Sequence, residues 1–214
     1  MRLLILTMGI FAIALFSKNK TVLLPSPKTI GTISLEEAIA KRKSIREFSQ
    51  DSLTIQEVSQ LLWACQGITH EGWKRAAPSA GATYPFEVYL TVRNVNDLEQ
   101  GLYHYLCQKH QLELIRQGDL SRDLRKGCLN QLFIEKAAVN IILAAEFQRT
   151  TKKYGERGIR YVHMEAGHIG QNISLQAVAL GLGTVPVGAF SDEQVKSLLA
   201  IPEEPLYIFP VGRP

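Results

Sequence analysis

Cysteine is scarce in this sequence, and its spacing excludes the common cysteine-based scaffolds. The 214 residues contain three cysteines, Cys65, Cys107 and Cys128, with no CxxC pair and no Cys/His spacing typical of a zinc site. An odd number of widely spaced cysteines does not suit a disulfide framework. We therefore interpret each one as a small hydrophobic residue of the core rather than as a reactive thiol.

A large excess of charge is also missing, as are repeats and low-complexity tracts. Lysine and arginine number 24 against 20 acidic residues, which gives a formal net charge of +4. So mild a charge argues against a protein that coats nucleic acid, and no nucleic-acid partner is expected. With 46% hydrophobic residues the chain can bury one sizeable core, so a single domain is predicted.

A long apolar run stands at the N-terminus. Residues 3–16 are apolar and are flanked by Arg2, Lys18 and Lys20. As a helix this run reaches about 21 Å, short of the roughly 30 Å of a bilayer core, so residues 1–20 are predicted to be a signal peptide or a membrane anchor. Because no clear A-x-A cleavage site follows, an uncleaved anchor and a buried N-terminal helix both stay open.

The apolar run also sets the expected location and the domain boundaries. We expect a membrane-associated or exported protein, attached through residues 3–16, with the side of the membrane left open because no twin-arginine signal is present. Residues 21–33 contain Pro25 and Pro27 and are predicted to be a linker outside the fold. The folded domain is predicted to span residues 34–214.

Helix and strand patterns alternate after this linker. Ser34-x-x-Glu37 and Thr54-x-x-Glu57 predict two helix starts, whereas residues 70–85 have no period and predict a loop. FEVYLTVR predicts a strand, GLYHYLC with QLELIRQ a hairpin, residues 119–130 a short helix, AAVNIILAAEF a buried central strand, and PLYIFPVG a last strand. The interleaving predicts an α+β fold with a mixed or antiparallel central sheet flanked by helices.

A long helix is predicted over YVHMEAGHIGQNISLQAVALGLG, which is apolar and rich in small residues. Small residues such as Gly170 let another backbone approach closely, so we expect burial nearly all round, and we place residues 160–180 in a homodimer interface. His163, Glu165 and His168 do not share an i, i+4 face, and helix packing explains them better than a metal site does. No metal is expected.

The stretch AKRKSIREFS contains the densest run of cations. Arg42, Ser44 and Arg46 alternate, so an extended segment would present all three on one side. Two guanidinium groups with a hydroxyl between them suit a phosphate, although a solvated face is the simpler interpretation. Two further stretches, APSAGATYPFEVYL and GLGTVPVGAF, are typical of a rigid loop and of a helix–strand turn whose amides are free for a ligand.

Together these stretches resemble the FMN-dependent nitroreductase superfamily, and within it the SagB-type dehydrogenase branch that includes the azoline oxidases. The resemblance runs from about Ser34 to Arg213. It is carried by RKSIREF, LLWACQGIT, APSAGATYPFEVYL, KYGERGIRYVHMEAGHIGQN, ALGLGTVPVGAF and PVGRP. It implies a nitroreductase-like fold, a homodimer with the flavin between subunits, and FMN as the cofactor.

The resemblance also implies roles for particular residues, which are grouped here by the part of FMN that they would contact. On the phosphate and ribityl side are Arg42, Lys43, Ser44, Arg46 and, from the C-terminus, Arg213. In a loop that crosses from the partner subunit are Ser79 and Gly81. Along the isoalloxazine ring, with a backbone amide near N5, are Pro186, Val187, Gly188 and Ala189. Many nitroreductases carry Asn where Ala82 stands, so one flavin hydrogen bond is lost.

The pair Lys153 and Tyr154 matches the proposed proton-handling pair of azoline oxidases, which implies a catalytic role; a solvent-facing helix start is the alternative. The function expected is an FMN-dependent oxidoreductase that transfers hydride between an organic substrate and flavin N5. The substrate would be a small molecule or a peptide, with NAD(P)H as a candidate reductant. An azoline dehydrogenase of peptide modification and a non-catalytic flavin-binding redox module stay open as alternatives.

Overall fold

The computed structural model describes residues 20–214, and its centre is a seven-stranded antiparallel sheet. Residues 20–214 contain nine strands, of which all but β2 and β3 belong to this sheet. They are β1 (Thr21–Leu23), β2 (Ile68–His70), β3 (Lys74–Arg75), β4 (Phe86–Val92), β5 (Gly101–Leu106), β6 (Gln111–Gln117), β7 (Val139–Ala145), β8 (Gly183–Thr184) and β9 (Glu204–Gly212). The helices are α1 (Leu35–Lys41), α2 (Ile55–Gln66), α3 (Ser121–Gly127), α4 (Leu132–Lys136), α5 (Phe147–Tyr154), α6 (Arg157–Ala179) and α7 (Asp192–Leu199). The predicted signal peptide or anchor lies outside the described residues, apart from Lys20. Within residues 20–214 no helix is long and apolar enough to cross a membrane.

The sheet has the strand order β1-β6-β5-β4-β7-β9-β8, and β2 pairs with β3 in a separate hairpin. All seven residues of β7 are buried, as expected for a strand covered on both faces. Its register joins Ala145 to Phe86 at one end, and Val139 to Val92 and Val211 at the other. The predicted α+β fold, central strand and β5–β6 hairpin are confirmed.

Helices cover both faces of the sheet. On one face α2 and α6 pack through residues such as Leu61 and Ile169, and on the other α4 and α7 pack through Ile134 and Val195. Neighbouring side chains on a strand point to opposite faces, so consecutive residues of β7 contribute to the two different cores. Each fully buried aliphatic side chain stabilises this arrangement by about 1.5–3 kcal/mol.

The segment predicted to be a linker is part of the fold, and that prediction is wrong. Thr21–Leu23 pairs with β6 at the edge of the sheet, and Leu24 is buried in the core. The Lys28 N–H donates to Gln60 Oε1 at 2.8 Å, and Gln60 Nε2 donates back to the Lys28 carbonyl at 3.0 Å. The apolar residues of TVLL complete a sheet edge, where nearby prolines are tolerated.

Helix α6 is buried along one side rather than nearly all round. Gly170 lies against the chain's own Phe209, whose Cζ a Cβ at residue 170 would approach to 2.5 Å. On another side Met164 is 52% exposed, and Gly167, three residues further along the helix, faces open space. Met164 and Gly167 are called the exposed stripe of α6. Gly170 therefore serves packing within the chain, whereas the exposed stripe faces away from the chain's own core.

The predicted loop of residues 70–85 contains more structure than its sequence indicates. It holds the end of β2, all of β3 and a 3₁₀ turn at Ala80–Ala82. Helices α4 and α5 were not predicted, because the first has five residues and the second is mostly polar. The predicted helix starts are confirmed: Thr54 and Glu57 form a complete capping box, and Ser34 Oγ accepts the Glu37 N–H.

Candidate functional site

The basic segment of residues 42–46 is extended and lies along the edge of the sheet. Helix α1 ends at Lys41, and the Ile45 N–H donates to the Thr184 carbonyl of β8 at 3.0 Å. The Ile45 side chain packs on Gly183, where a Cβ would come within 2.6 Å of it. Arg42, Ser44 and Arg46 are exposed, so β8 fixes the backbone while the polar side chains face solvent.

The charges of this segment have no carboxylate partner in the part of the chain that the structure describes. Within residues 20–214 no carboxylate pairs with Arg42, Lys43 or Arg46, whereas the preceding Lys41 pairs with Glu37 at 2.6 Å. Unpaired guanidinium groups beside a hydroxyl form a donor set that fits a phosphate. Arg46 also makes a cation–π contact, with its Cζ 5.9 Å from the centre of the Phe133 ring.

The turn of residues 186–189 is pinned at two points. The Val187 N–H donates to Ile208 of β9 at 2.8 Å, and Gln131 Nε2 donates to the Ala189 carbonyl at 2.9 Å. Pro186, Gly188 and Ala189 are exposed. Among the described residues the Gly188 and Ala189 amides have no acceptor, so they, rather than Val187, are the free donors of the turn.

A cavity of about 430 Å³ opens beside this turn. Its lining joins α6, the turn and β9, through His163, Ala166, Gly188, Phe190 and Tyr207 among others. The cavity provides apolar and aromatic surface directly next to the free amides, which is the combination that a flat heterocyclic ring requires.

The second loop, defined as residues 79–82, is held in a turn that glycine favours. Gly81 has φ 58°, a left-handed conformation that costs glycine no steric strain. Ser79 Oγ accepts the Tyr84 N–H at 2.9 Å, which closes the turn. Thr83 Oγ1 and Thr150 Oγ1 lie 2.7 Å apart and attach the end of the loop to α5.

Lys153 and Tyr154 lie at the C-terminal end of α5, not at a helix start, and they contact the second loop. Lys153 Nζ donates to the Gly81 carbonyl at 3.4 Å and lies 5.5 Å from the centre of the Tyr154 ring. A Cβ at Gly81 would lie 2.6 Å from Lys153 Nζ and would also collide with the Tyr154 hydroxyl. The fold thus brings the predicted catalytic pair to a predicted cofactor-binding loop.

Arg213 is engaged within the chain. Its Nη2 lies 3.0 and 3.1 Å from the two carboxylate oxygens of Glu57, and its Nε donates to the Ser52 carbonyl at 3.2 Å. Glu57 also caps α2, so the pair joins the C-terminus to that helix. A contact between Arg213 and a phosphate stays a prediction.

Two residues near the site, Gln131 and Glu165, are given no role in it by the sequence-based predictions. Gln131 supports the turn of residues 186–189, and nothing in NQLF distinguishes it. Glu165 is buried beneath the second loop; burial raises the pKa of its carboxyl to about 7, and the neighbouring Ser79, Gln66 and Arg75 partly offset this. Within residues 20–214 no group of three or more His, Cys, Asp or Glu side chains could hold a metal ion.

The sequence pattern of the nitroreductase family matches residues 39–213. The chain belongs to the nitroreductase family. It is accordingly a flavin-dependent oxidoreductase with a nitroreductase-like fold. The predicted family and enzyme class are confirmed.

Individual relatives agree with this family. A Methanocaldococcus jannaschii protein described as a nitroreductase is 46% identical over 184 residues, which cover 86% of this chain and 93% of the relative. A crystal structure from Anabaena variabilis, described as a nitroreductase, superposes with a TM-score of 0.79 at 30% identity. The match covers 92% of this chain but 42% of that one.

More distant relatives include proteins named for the processing of microcin B17 and of trifolitoxin. The microcin B17-processing protein McbC of Escherichia coli is 28% identical over 190 residues, covering 83% of this chain and 69% of McbC. Two solved structures at 22% identity show the shared fold alone. They are the E. coli McbBCD complex with truncated pro-MccB17 (TM-score 0.69, covering 100% of this chain and 85% of the other) and the NADPH:FMN oxidoreductase of Vibrio harveyi (0.60, 84% and 68%).

Proposed function

We propose that this nitroreductase-family protein is an FMN-dependent, SagB-type dehydrogenase that transfers hydride between an organic substrate and flavin N5. The observation that carries the proposal is the row of exposed donors at Arg42, Ser44 and Arg46, with Lys43 beside it, for which residues 20–214 supply no carboxylate partner. A terminal phosphate distinguishes FMN from riboflavin, and this row is the part of the chain best suited to such a group. The name of the Vibrio harveyi neighbour, an NADPH:FMN oxidoreductase, agrees with this choice.

The proposed roles of the other site residues follow from this placement of the FMN phosphate. The amides of Gly188 and Ala189 would donate to the isoalloxazine ring, and the cavity beside them would receive its edge. When bound, the flavin supplies the acceptor or donor of the hydride. Lys153 and Tyr154 would take up or deliver the accompanying proton.

We further propose that a second copy of the chain completes the site. The basic segment belongs to the end of the sheet where the Ser49 N–H donates to the Arg213 carbonyl at 2.9 Å. The second loop leads into β4 at the other end, where Phe86 pairs with Ala145. The length of β7, about 20 Å, separates these two ends, so a two-fold dimer offers a direct way to bring one loop to the other subunit's basic segment.

The exposed stripe of α6 is our candidate for the dimer interface. Met164→Glu would bury a charge in such an interface and should yield monomers in light scattering. Ile115→Glu, at a side chain on β6 that is 43% exposed, is the matched control and should leave the dimer intact. A wild-type protein that is monomeric with flavin bound would refute the dimer.

The second candidate is azoline dehydrogenation in peptide modification. The name of the relative McbC and the proximity of Lys153 and Tyr154 to Gly81 favour it. Conversion of an azoline ring to an azole removes one hydride and one proton from the ring. The hydride would go to the flavin and the proton to Lys153 or Tyr154.

The proposed function is tested first by FMN binding and then by turnover. The purified protein should be yellow, and FMN fluorescence should be quenched on titration. Incubation with a thiazoline-containing peptide should remove two hydrogen atoms, as seen by mass spectrometry, if the second candidate is right. Reduction by NAD(P)H without peptide oxidation would favour a general reductase. Flavin binding with no turnover of any acceptor would indicate a non-catalytic, flavin-binding redox module.

A further inference from the structure

Beneath the second loop lies a group of buried polar side chains that the proposed chemistry does not use. Glu165 of α6 is 2% exposed and Gln66, the last residue of α2, is 1% exposed. Arg75 of β3 donates from Nη1 to Gln66 Oε1 at 3.2 Å, and its Cζ lies 4.6 Å from the centre of the Tyr84 ring. Glu165, Gln66 and Arg75 are called the buried polar cluster.

The unfilled hydrogen-bonding capacity of this cluster is complementary. Gln66 Nε2 and Arg75 Nε are buried donors with no partner among residues 20–214, and Glu165 Oε1 is a buried acceptor with none. Buried polar atoms without a partner are rare in folded proteins and call for an explanation. Here two donors and one acceptor lie in the same cluster, so the Glu165 carboxylate could accept a hydrogen bond from both Gln66 and Arg75.

The cluster reaches the candidate site through Ser79. The Ser79 hydroxyl and the Gln66 amide lie beside the Glu165 carboxyl and favour its charged form. Ser79 Oγ also accepts the Tyr84 N–H, and this bond closes the turn that contains Gly81. Gly81 in turn contacts Lys153 and Tyr154. A chain of neighbours thus runs from Glu165 to the proposed catalytic pair.

We propose that Glu165 is a positioning residue, whose carboxylate draws Ser79, Gln66 and Arg75 together and so fixes the second loop. Its consequence for catalysis rests on the proposed function, because Ser79 and Gly81 are taken there to face the flavin. Its consequence for the loop itself does not depend on flavin.

The ionisation state of Glu165 decides how well the cluster holds the loop. The carboxylate can accept from the Ser79 hydroxyl, from Gln66 Nε2 and from Arg75 Nε at once. The protonated carboxyl carries a donor in place of one acceptor position, so it can serve fewer of these three donors than the carboxylate can. Since the pKa of Glu165 is raised to about 7, the loop should be more tightly held above neutral pH than below it.

Other charged and ionisable groups lie near the cluster. Arg75 supplies a guanidinium, a group that is not deprotonated in proteins. Burial raises the pKa of the Cys65 thiol on α2, and that of Cys107 after β5, away from neutrality. His163 and His168 are exposed on α6 and are present in every variant compared below, so they cancel in the comparison.

Hydrogen–deuterium exchange of the full-length protein without flavin tests the proposal. Amides 79–84, corrected for intrinsic rates, should exchange about tenfold more slowly at about pH 8 than at about pH 6 in the wild type. Glu165→Gln should show no such change and should resemble the wild type at low pH. Ser79→Ala removes the link from the loop side and should show the same loss of pH response. Exchange in β7 reports that each variant is folded.

Glu135→Gln is the matched control. Its carboxyl pairs with Arg125 at 2.6 Å beneath the other face of the sheet, so this variant should keep the wild-type response. Equal pH dependence in wild type and Glu165→Gln, or none in the wild type, would overturn the proposal.

An FMN titration separates this inference from the proposed function. Glu165→Gln should bind FMN about tenfold more weakly than the wild type at about pH 8, a loss of about 1.4 kcal/mol. A wild type that ignores FMN would refute the proposed function and leave the exchange result standing. A wild type that binds FMN but has a loop insensitive to Glu165 would refute the inference alone.

Discussion

The basic segment and the second loop belong to one proposed site, but they are built by different means. The basic segment carries three exposed cations that no carboxylate of residues 20–214 neutralises. The second loop has a left-handed Gly81, hydrogen bonds that close its turn and attach its end to α5, contacts with Lys153 and Tyr154, and a buried polar cluster beneath it.

The difference indicates what stabilises the conformation of the basic segment and what stabilises that of the second loop. Neighbouring cations repel one another, so the basic segment gains its full stabilisation only when an anion is bound. The second loop is arranged in advance by contacts within the chain, which is what a group near the reacting atoms requires. Substitutions in the basic segment should therefore change the affinity for FMN. Substitutions in or beneath the second loop should change turnover and its pH dependence.

The largest effect is expected from the basic segment. Arg42→Ala combined with Arg46→Ala should weaken FMN binding by about 3–6 kcal/mol, because each charge-assisted bond to a phosphate contributes about 1.5–3 kcal/mol. Fluorescence titration measures the loss. Arg116→Ala combined with Arg122→Ala, at exposed arginines of β6 and α3, is the control for net charge. An equal loss in both proteins would show that general electrostatics, and not this segment, attracts the cofactor.

Lys153→Ala should separate turnover from affinity. FMN binding and reduction by dithionite should stay near wild type, while oxidation of a substrate C–H bond should fall about 10²–10⁴-fold, as for a positioned acid or base. Single-turnover flavin reduction by the substrate gives this rate. Lys152→Ala changes the adjacent exposed lysine and should change the rate by no more than about twofold. Similar rates in the two variants would remove Lys153 from the mechanism.

Glu165 should make stability depend on pH in a defined direction. Its folded-state pKa of about 7 exceeds the ordinary value of 4.5, so the folded protein holds this proton more tightly than the unfolded chain does. This stabilisation is complete below about pH 4.5 and is lost as the pH rises through about 7. Relative to the wild type, Glu165→Gln should therefore gain stability with rising pH, on the order of 3 kcal/mol.

Urea unfolding of the two proteins at several pH values measures this difference. A constant difference between them across that range would mean that Glu165 does not titrate as described. If Glu165→Gln is both more stable and less responsive in the loop, the buried carboxyl lowers stability in return for positioning.

The smallest effect is expected from Gly81→Ala. The positive φ alone costs about 1–2 kcal/mol for a residue with a Cβ, and the new Cβ would also displace Lys153 and Tyr154. Gly72→Ala has the same backbone cost at φ 69° but meets nothing within 4 Å. Both variants should lose similar thermal stability, whereas only Gly81→Ala should lose turnover. Equal turnover would show that the contact with the pair is dispensable.

The sequence determined the elements whose signals are local. VNIILAA, apolar except for Asn140, predicts a buried central strand, Thr54 and Glu57 three residues apart make a capping box, and Arg42, Ser44 and Arg46 alternate as an extended chain requires. The two loops and the Lys153–Tyr154 pair were identified by resemblance to a family. Their roles in binding and catalysis stay predictions.

Only the tertiary structure decided what depends on contacts between distant residues. Gln131 meets Ala189 across 58 positions, and β1 joins the sheet by pairing with a strand far along the chain. Glu165 resembled an ordinary helical residue until Ser79, Gln66 and Arg75 were placed around its carboxyl. A residue's burial and charge environment are set by neighbours from other elements, so no pattern within a short window of sequence can reveal them.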